Sequence, residues 1–131
     1  MPIPEANHFS RHYSLAQARA LLPEVRRWLA SLDATQVRLR AVEERLTVLL
    51  SRHDDIGGDP VNNLARTLAD CKEILQEFSS RQIQIKDVDR GLIDFPSWRD
   101  GREVFLCWEK DEPDIEFWHD LESGYSSREP L

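Results

Sequence analysis

A cysteine and a histidine that could do chemistry stand close together near the end of the sequence, in the stretch GREVFLCWEKDEPDIEFWHD (residues 101–120). Cys107 and His119 fall on two apolar segments joined by the turn DEPD, a pattern typical of an antiparallel hairpin. Across such a ladder the two side chains can lie within a residue or two of each other. A thiolate, an imidazole and a carboxylate such as Glu112 or Asp120 can together hold zinc, so this hairpin is a candidate metal site.

The same pair allows two other interpretations. A Cys–His nucleophile would need a third, orienting group and donors for an oxyanion, and the sequence displays no complete catalytic set. Structural zinc usually takes four protein ligands, and the chain has no C-x-x-C spacing. We therefore favour a buried strand cysteine beside a histidine that donates to a carbonyl or a carboxylate. Zinc binding at Cys107 and His119 is the alternative.

A second set of residues could bind a ligand or a partner. Asp94 and Arg102 flank the loop PSWRDG, where they could form a bidentate ion pair that closes the loop. A small anion site built from Arg102 and Arg128 is the less favoured choice. Trp98, on that loop, is a candidate partner surface. The candidate ligand or interaction site therefore comprises Asp94, Trp98, Arg102, Glu112 and Arg128.

Two segments with apolar residues at alternating spacings of three and four predict two helices. Ser14 and Gln17 fit a capping box at the start of the first, which runs to about residue 53. Pro23 within it predicts a kink or a late start, and Asp33 allows a break. The linker HDDIGGDP favours a turn, after which Asp59 is expected to cap a second helix that begins at residue 60. This pattern predicts an antiparallel helical hairpin over about residues 14–82.

The two predicted arms differ in length. Residues 14–53 would span roughly 60 Å as one helix, and residues 60–82 roughly 35 Å. The second arm can cover only part of the first, so the remaining apolar stripe must meet the C-terminal sheet or another subunit. We therefore predict a homodimer, with Leu22, Val25 and Leu29 on the self-association face.

After about residue 82 the helical period gives way to the alternation of strands. Ile83 and Ile85 alternate with polar residues, Asp100 and Gly101 mark a turn, and VFLCW (104–108) is apolar on both faces, as in a central strand. We predict a three-stranded antiparallel meander over about residues 83–120, packed on the hairpin, and a C-terminal tail over 121–131. Trp108 and Trp118 are assigned to the core. The expected fold is a single α+β domain over residues 1–131.

Composition limits the classes of partner. The net charge is −7, and residues 109–131 hold eight acidic and two basic residues, which amounts to 2 − 8 = −6. Such an acidic tail repels phosphate backbones, so we expect no nucleic-acid partner. No apolar run approaches the roughly 20 residues that span a bilayer, and the N-terminus lacks the apolar core of a signal peptide. We expect a cytoplasmic protein with no membrane partner. His8, His12 and His53 have no visible partners.

Five short motifs in order along the chain, SLAQARALLPEV, GLIDFP, GREVFLCW, FWHD and GYSSREPL, resemble the bacterial family called domain of unknown function 2203. The resemblance covers residues from about 9 to 131. The sequence departs from the family pattern at EKDEPD, where Lys110 and Asp111 stand in place of the more usual apolar residue and glycine. The resemblance implies the fold but no activity and no cofactor.

Two functions remain open on these observations. The favoured one is a non-enzymatic interaction module that associates with itself through its helices and offers an acidic, aromatic C-terminal face to an unknown protein partner. The alternative is a metal- or small-ligand-binding protein that uses the hairpin of Cys107 and His119.

Overall fold

The computed structural model describes residues 7–52 and 58–131. Two helices are followed by five strands: α1 (Leu15–Ser51), α2 (Gly58–Ser79), β1 (Gln84–Asp87), β2 (Leu92–Arg99), β3 (Arg102–Glu109), β4 (Phe117–Asp120) and β5 (Glu129–Pro130). The strands form one antiparallel sheet in the order β1-β2-β3-β4-β5. The predicted α+β class is confirmed, but the predicted count of three strands is wrong. Most of the linker HDDIGGDP lies outside the described residues.

One additional strand arises because a turn divides the segment after residue 82 into β1 and β2, and the other, β5, lies in the predicted C-terminal tail. Gly91, at φ +62°, closes a turn by donating its N–H to the Val88 carbonyl at 3.1 Å, which separates β1 from β2. A Cβ at this position would lie 2.7 Å from Cβ of Lys110, so glycine also permits a close approach from the end of β3. Strand β5 is only two residues long, too short for alternation to be visible in the sequence.

The chain forms two compact units, one of residues up to Arg26 and from Phe78 onward, the other of residues 27–77. Helix α1 contributes to both and continues without a break past Asp33. The predicted capping box is confirmed, because Ser14 N donates to Gln17 Oε1 at 2.9 Å and Gln17 N donates to Ser14 Oγ at 3.1 Å. Pro23 lies inside α1, so the predicted late start does not occur. A single domain requires the two units to fold cooperatively. The single domain over residues 1–131 therefore stays a prediction.

The unit of residues 27–77 contains most of α2 and the C-terminal part of α1, and the two helices run antiparallel. Arg38 on α1 pairs with Asp70 on α2, with Nη1 and Oδ2 2.9 Å apart. Buried Thr35 and Thr67 satisfy their hydroxyls by donating to carbonyls one turn earlier in their own helices. Helix α2 begins at Gly58, so the predicted start at residue 60 behind an Asp59 cap is two residues late. Neither helix in the described part of the chain is both long and apolar enough to cross a membrane.

In the other unit, the first turns of α1 and the segment before it pack against the sheet. Tyr13 N donates to the Pro96 carbonyl at 2.7 Å, and Ser97 Oγ donates to the Tyr13 carbonyl at 2.6 Å. Arg19 donates to the Ile115 carbonyl at 2.8 Å, which ties α1 to the connection between β3 and β4. We predicted that the sheet packs on the whole helical hairpin. This arrangement concerns both units, so it stays a prediction.

The predicted self-association face is buried inside the single chain. Leu22, Val25 and Leu29 are each at most 5% exposed. Their apolar stripe therefore finds its partners within one chain, and the prediction that these three residues form a surface for a second copy is wrong. Any self-association must use other residues.

Candidate functional site

Strands β2, β3 and β4 bring Asp94, Cys107 and His119 together. Asp94 lies directly opposite Cys107 in the ladder, and His119 lies opposite Phe105, two residues along β3 from Cys107. Because side chains alternate between faces, all three project from the same face of the sheet. One ligand atom from each residue lies within 4.8 Å of the others, and all three residues are buried. The third member of the cluster is thus Asp94, whereas the sequence suggested Glu112 or Asp120.

Asp94 and His119 form a buried hydrogen-bonded pair, which is an ion pair when His119 is protonated. His119 Nε2 lies 3.0 Å from Asp94 Oδ2, and both side chains are 2% exposed. On the other side of the ring, Nδ1 lies 2.8 Å from the Asp120 carbonyl, which can only accept, so Nδ1 carries a hydrogen. Burial alone would lower the pKa of His119, but the bonds to Asp94 and the Asp120 carbonyl outweigh it and raise that pKa. The imidazole is therefore held in a fixed orientation.

The second carboxylate oxygen of Asp94 has no such partner. Oδ1 is buried and makes no hydrogen bond of normal geometry with the described residues. The neighbouring Cys107 thiol interacts with Asp94, but a thiol is only a weak donor and does not replace a full hydrogen bond. A buried acceptor left unsatisfied costs about 1–3 kcal/mol, and more when it is charged. Such an atom calls for a specific explanation, such as a bound ion.

Cys107 is a neutral thiol in this environment. Burial, together with the charge and hydrogen bond of Asp94, raises the pKa of Cys107 to about 12, with Arg128 partly opposing the shift. The residue is fully buried in the central strand, as expected. Because a nucleophilic cysteine needs an accessible thiolate, the arrangement does not favour a Cys–His nucleophile.

Glu112 and Arg128 form a clamp beside the cluster. Arg128 Nη1 lies 2.7 Å from Glu112 Oε1, and Nη2 donates to the Tyr125 hydroxyl at 3.0 Å. The guanidinium also lies 4.0 Å from the ring centres of Phe117 and Tyr125. Glu112 Oε1 accepts from the Glu109 backbone N–H at 2.8 Å, so the clamp holds the C-terminal segment to the β3–β4 turn.

The structure gives the remaining predicted residues other partners. Arg102 pairs with Asp120 at 3.3 Å, so the predicted Asp94–Arg102 ion pair is wrong. Since Arg128 is engaged by Glu112, the two arginines do not form a shared anion site. Trp98 is 47% exposed and stacks on His12 with ring centres 4.3 Å apart, so its role as a partner surface stays a prediction.

A cavity of about 290 Å³ opens beside the cluster. Asp94 and His119 line it together with Lys86 on β1, Phe105 on β3 and the segment 121–125. The sequence analysis missed Lys86 and Phe105, and it assigned residues 121–125 to a C-terminal tail without naming a site residue among them. The only signal that could have identified this segment was the family-like motif GYSSREPL, whose conformation the sequence does not specify.

Two histidines for which the sequence suggested no partners converge on Glu103 at the start of β3. The backbone N–H groups of His8 and Phe9 donate to the carboxylate at 2.7 and 3.0 Å, and His12 Nε2 lies 2.9 Å from it. Burial by itself would raise the pKa of Glu103, but these hydrogen bonds outweigh it and lower that pKa from 4.5 to about 2. The carboxylate therefore fastens the segment before α1 to the sheet only while it is ionised.

This depressed pKa predicts an acid-dependent loss of stability. Because the folded-state value lies below the ordinary one, the contribution of Glu103 is complete above about pH 4.5 and is lost as pH falls toward about 2. In urea titrations across this range, the wild type should lose stability more steeply than Glu103→Gln. Glu44→Gln, on the exposed surface of α1, should follow the wild type. Parallel curves for wild type and Glu103→Gln would contradict the assignment.

The comparisons with known proteins agree with the motif series described above. A family model described as "Uncharacterized conserved protein (DUF2203)" matches residues 11–131. No curated protein and no solved structure matches the chain. The matched range includes the whole Asp94–Cys107–His119 cluster and every residue that lines its cavity.

Proposed function

The chain belongs to the DUF2203 family of uncharacterized conserved proteins, and from its buried polar cluster we propose that it is a metal-binding protein. Asp94, Cys107 and His119 hold one zinc ion or a similar transition-metal ion. This is the alternative of the two functions considered from the sequence, with Asp94 as the carboxylate ligand in place of Glu112 or Asp120. The convergence of three buried ligand types on one face of the sheet carries the proposal.

The metal accounts for features that the ion pair alone leaves unexplained. The Asp94–His119 bond satisfies one carboxylate oxygen and leaves Oδ1 buried with no hydrogen bond of normal geometry from the described residues. A cation would satisfy the carboxylate, replace the weak donor of the Cys107 thiol with a coordinating thiolate and replace the proton on Nε2 of His119. The bond from Nδ1 to the Asp120 carbonyl is the kind of outer contact that orients a metal-bound histidine.

The mixture of ligands favours zinc over the hard cations. Calcium and magnesium prefer sites built from oxygen, whereas zinc accepts sulfur, nitrogen and oxygen together. Three protein ligands leave one position of a tetrahedral zinc open. Metal binding releases protons from Cys107 and His119, so the affinity falls as the solution becomes more acidic.

Metal analysis of protein prepared without a histidine tag tests this function. Zinc should be retained at about one ion per chain, and cobalt substitution should produce a thiolate-to-cobalt absorption band. Asp94→Asn, Cys107→Ser and His119→Ala should each remove most of the metal. Cys71→Ser is the matched control, because Cys71 lies on α2 outside the cluster.

A chelator provides a second readout in the same experiment. It should lower the melting temperature of the zinc-loaded wild type and leave that of Cys107→Ser unchanged, because only the wild type has a ligand-linked contribution to stability. A wild type that retains no zinc, or a Cys107→Ser variant that retains it fully, would reject the metal centre.

A second function, self-association, is favoured by a different observation. Val61, Leu68 and Leu75 follow one another at intervals of seven along α2 and are 50%, 49% and 40% exposed. This spacing places them on one stripe of the helix, as in the seam of a coiled coil. We propose that a second copy of the chain covers this stripe, in place of the buried face predicted from the sequence.

The proposal of self-association also includes the partners and the location expected from the sequence. Trp98 and the acidic C-terminal residues would face a protein partner, and the chain would act in the cytoplasm without nucleic-acid or membrane partners. Light scattering at micromolar concentration should report about twice the chain mass of 15.3 kDa for the homodimer.

A further inference from the structure

Arg128 lies against the Cys107 side of the cluster. Phe117 stands directly opposite Cys107 in the ladder of β3 and β4, so the two side chains project from the same face of the sheet. The Arg128 guanidinium lies 4.0 Å from the ring centre of Phe117. Both its charge and a hydrogen bond act on the Cys107 thiol, where they oppose the rise in the pKa of that thiol. Arg128 therefore places a cation beside the sulfur atom.

The guanidinium of Arg128 is held in place by groups other than the sulfur. Nη1 lies 2.7 Å from Glu112 Oε1, and Nη2 donates to the Tyr125 hydroxyl at 3.0 Å. The rings of Phe117 and Tyr125 both lie against it, each with its centre 4.0 Å away. A guanidinium has more N–H donors than these two polar contacts use, so donors remain for the sulfur of Cys107.

A bound metal would strengthen the contact between Arg128 and Cys107. The sulfur of a neutral thiol is a weak acceptor, whereas a metal-bound cysteine is a thiolate. Hydrogen bonds between a charged donor and a charged acceptor are roughly twice as strong as neutral ones. Removing a group that hydrogen-bonds a metal ligand commonly weakens metal binding by about 10–100-fold. Arg128 therefore favours the metal-loaded cluster over the empty one.

Arg128 also belongs to the C-terminal segment, residues 121–131, of which residues 121–125 line the cavity beside the cluster. Strand β5 holds this segment to β4 through a two-residue pairing, at Pro130 and Glu129. Leu131 N adds one hydrogen bond to the Glu116 carbonyl at 3.0 Å. These backbone bonds lie beyond residue 128, so the Arg128 side chain links the rest of the segment to the cluster. A stronger bond from Arg128 to the sulfur would stabilise the segment over the cavity.

Resting on the metal centre proposed above, we propose that Arg128 is a positioning residue for the metal: it donates to the metal-bound sulfur of Cys107 and couples metal occupancy to closure of the C-terminal segment over the cavity. Coupling between two equilibria is reciprocal. The bond that tightens metal binding therefore makes the segment open less often once the metal is bound. Release of the metal would free the segment and expose the cavity.

The spectrum of cobalt-loaded protein tests the contact with sulfur. Arg128→Met should move the thiolate-to-cobalt band to longer wavelength, because a hydrogen bond lowers the energy of the sulfur electrons from which the transition starts. Arg128→Lys keeps a charge for Glu112 but donates from a single point, so its band should move less in the same direction. Because Arg128→Lys preserves the pairing with Glu112, it decides the question if Arg128→Met takes up no cobalt.

Arg90→Met is the matched control. Its guanidinium also lies on Tyr125, 4.3 Å from the ring centre, but it pairs with Glu109 at 3.0 Å outside the cluster. The band of Arg90→Met should coincide with that of the wild type. In competition with a chromogenic chelator, Arg128→Met should bind zinc about 10-fold more weakly or worse, and Arg90→Met should keep the wild-type affinity.

Hydrogen exchange followed by mass spectrometry tests the coupling. Zinc should slow the exchange of residues 121–128 in the wild type on the order of 10-fold, since reciprocity gives the metal the same effect on the segment as the segment has on the metal. This protection should largely disappear in Arg128→Met measured at saturating zinc.

The outcomes separate this inference from the metal centre. Cobalt bound at about one ion per chain, with the same band in the wild type, Arg128→Met and Arg128→Lys, would overturn the role of Arg128 and leave the metal centre standing. Weaker zinc binding with an unmoved band would do the same, since it would mark Arg128 as a merely structural support. Equal protection by zinc in the wild type and Arg128→Met would overturn the coupling to the segment. A wild type that takes up no metal would reject the metal centre and this inference together.

Discussion

Trp108→Ala will lower the free energy of unfolding by about 3–5 kcal/mol, the largest loss expected from truncating one side chain of the sheet. Trp108 is fully buried in the central strand β3, opposite Ile93 on β2. Its Nε1 donates to the Glu112 carbonyl at 3.1 Å, and the Arg26 guanidinium lies 5.4 Å from the ring centre. The substitution therefore opens a cavity, removes the shorter of two hydrogen bonds to the Glu112 carbonyl and removes a contact with α1.

Urea unfolding followed by circular dichroism measures this effect. Native domains are stable by only about 5–15 kcal/mol, so the variant should unfold at much lower urea concentration than the wild type. Trp98→Ala is the matched control, because Trp98 is the exposed tryptophan two positions from the hairpin turn of β2 and β3. The Trp98→Ala variant should lose at most about 1 kcal/mol of unfolding free energy. Equal losses for the two variants would contradict the assignment of Trp108 to the core.

Val25→Glu should prevent stable folding, whereas Leu68→Glu should leave the fold intact and dissociate the dimer. Val25 is fully buried, and an unpaired carboxylate there would cost several kcal/mol or force the surrounding helix and sheet apart. Leu68 is half-exposed on α2, where a carboxylate stays in water in the monomer but would be buried by a second copy. The same change in side chain therefore has two different consequences.

Circular dichroism and light scattering on the same samples separate these consequences. Leu68→Glu should keep the wild-type spectrum and report one chain mass of 15.3 kDa. Ala69→Glu adds the same charge to an exposed position away from the stripe and should remain dimeric. A monomeric wild type, or a dimeric Leu68→Glu, would reject the stripe of Val61, Leu68 and Leu75 as the self-association surface. A well-folded Val25→Glu would contradict the burial of that position.

Local signals in the sequence predicted those features that depend on neighbouring residues. The capping box of Ser14 and Gln17 forms as expected, because both partners lie within one helical turn. The turn at Asp100 and Gly101 is also correct, and both residues adopt the positive φ that such a turn requires. The turn at Gly91 was missed; glycine there serves its positive φ and also the close approach of Lys110, nineteen positions later in the chain.

The chemistry of the cluster depended on the register of the strands. From the sequence, Cys107 and His119 were expected to be close, since a hairpin with a short turn places them on adjacent strands. Asp94 was assigned to Arg102, because these two residues flank the loop PSWRDG. The ladder places Asp94 opposite Cys107 instead, and a shift of one residue would have moved its carboxylate to the other face of the sheet.

By itself, the sequence determined the two helices, the strands that carry Cys107 and His119 and the likeness to one family, because periodicity, caps and turns act over a few residues. Only the tertiary structure decided that Asp94 joins the cluster, that Lys86 and residues 121–125 enclose a cavity beside it, and that Leu22, Val25 and Leu29 are internal. These features bring together residues distant in the chain. Their positions follow from strand register and from competition among apolar surfaces for burial, which no local pattern encodes.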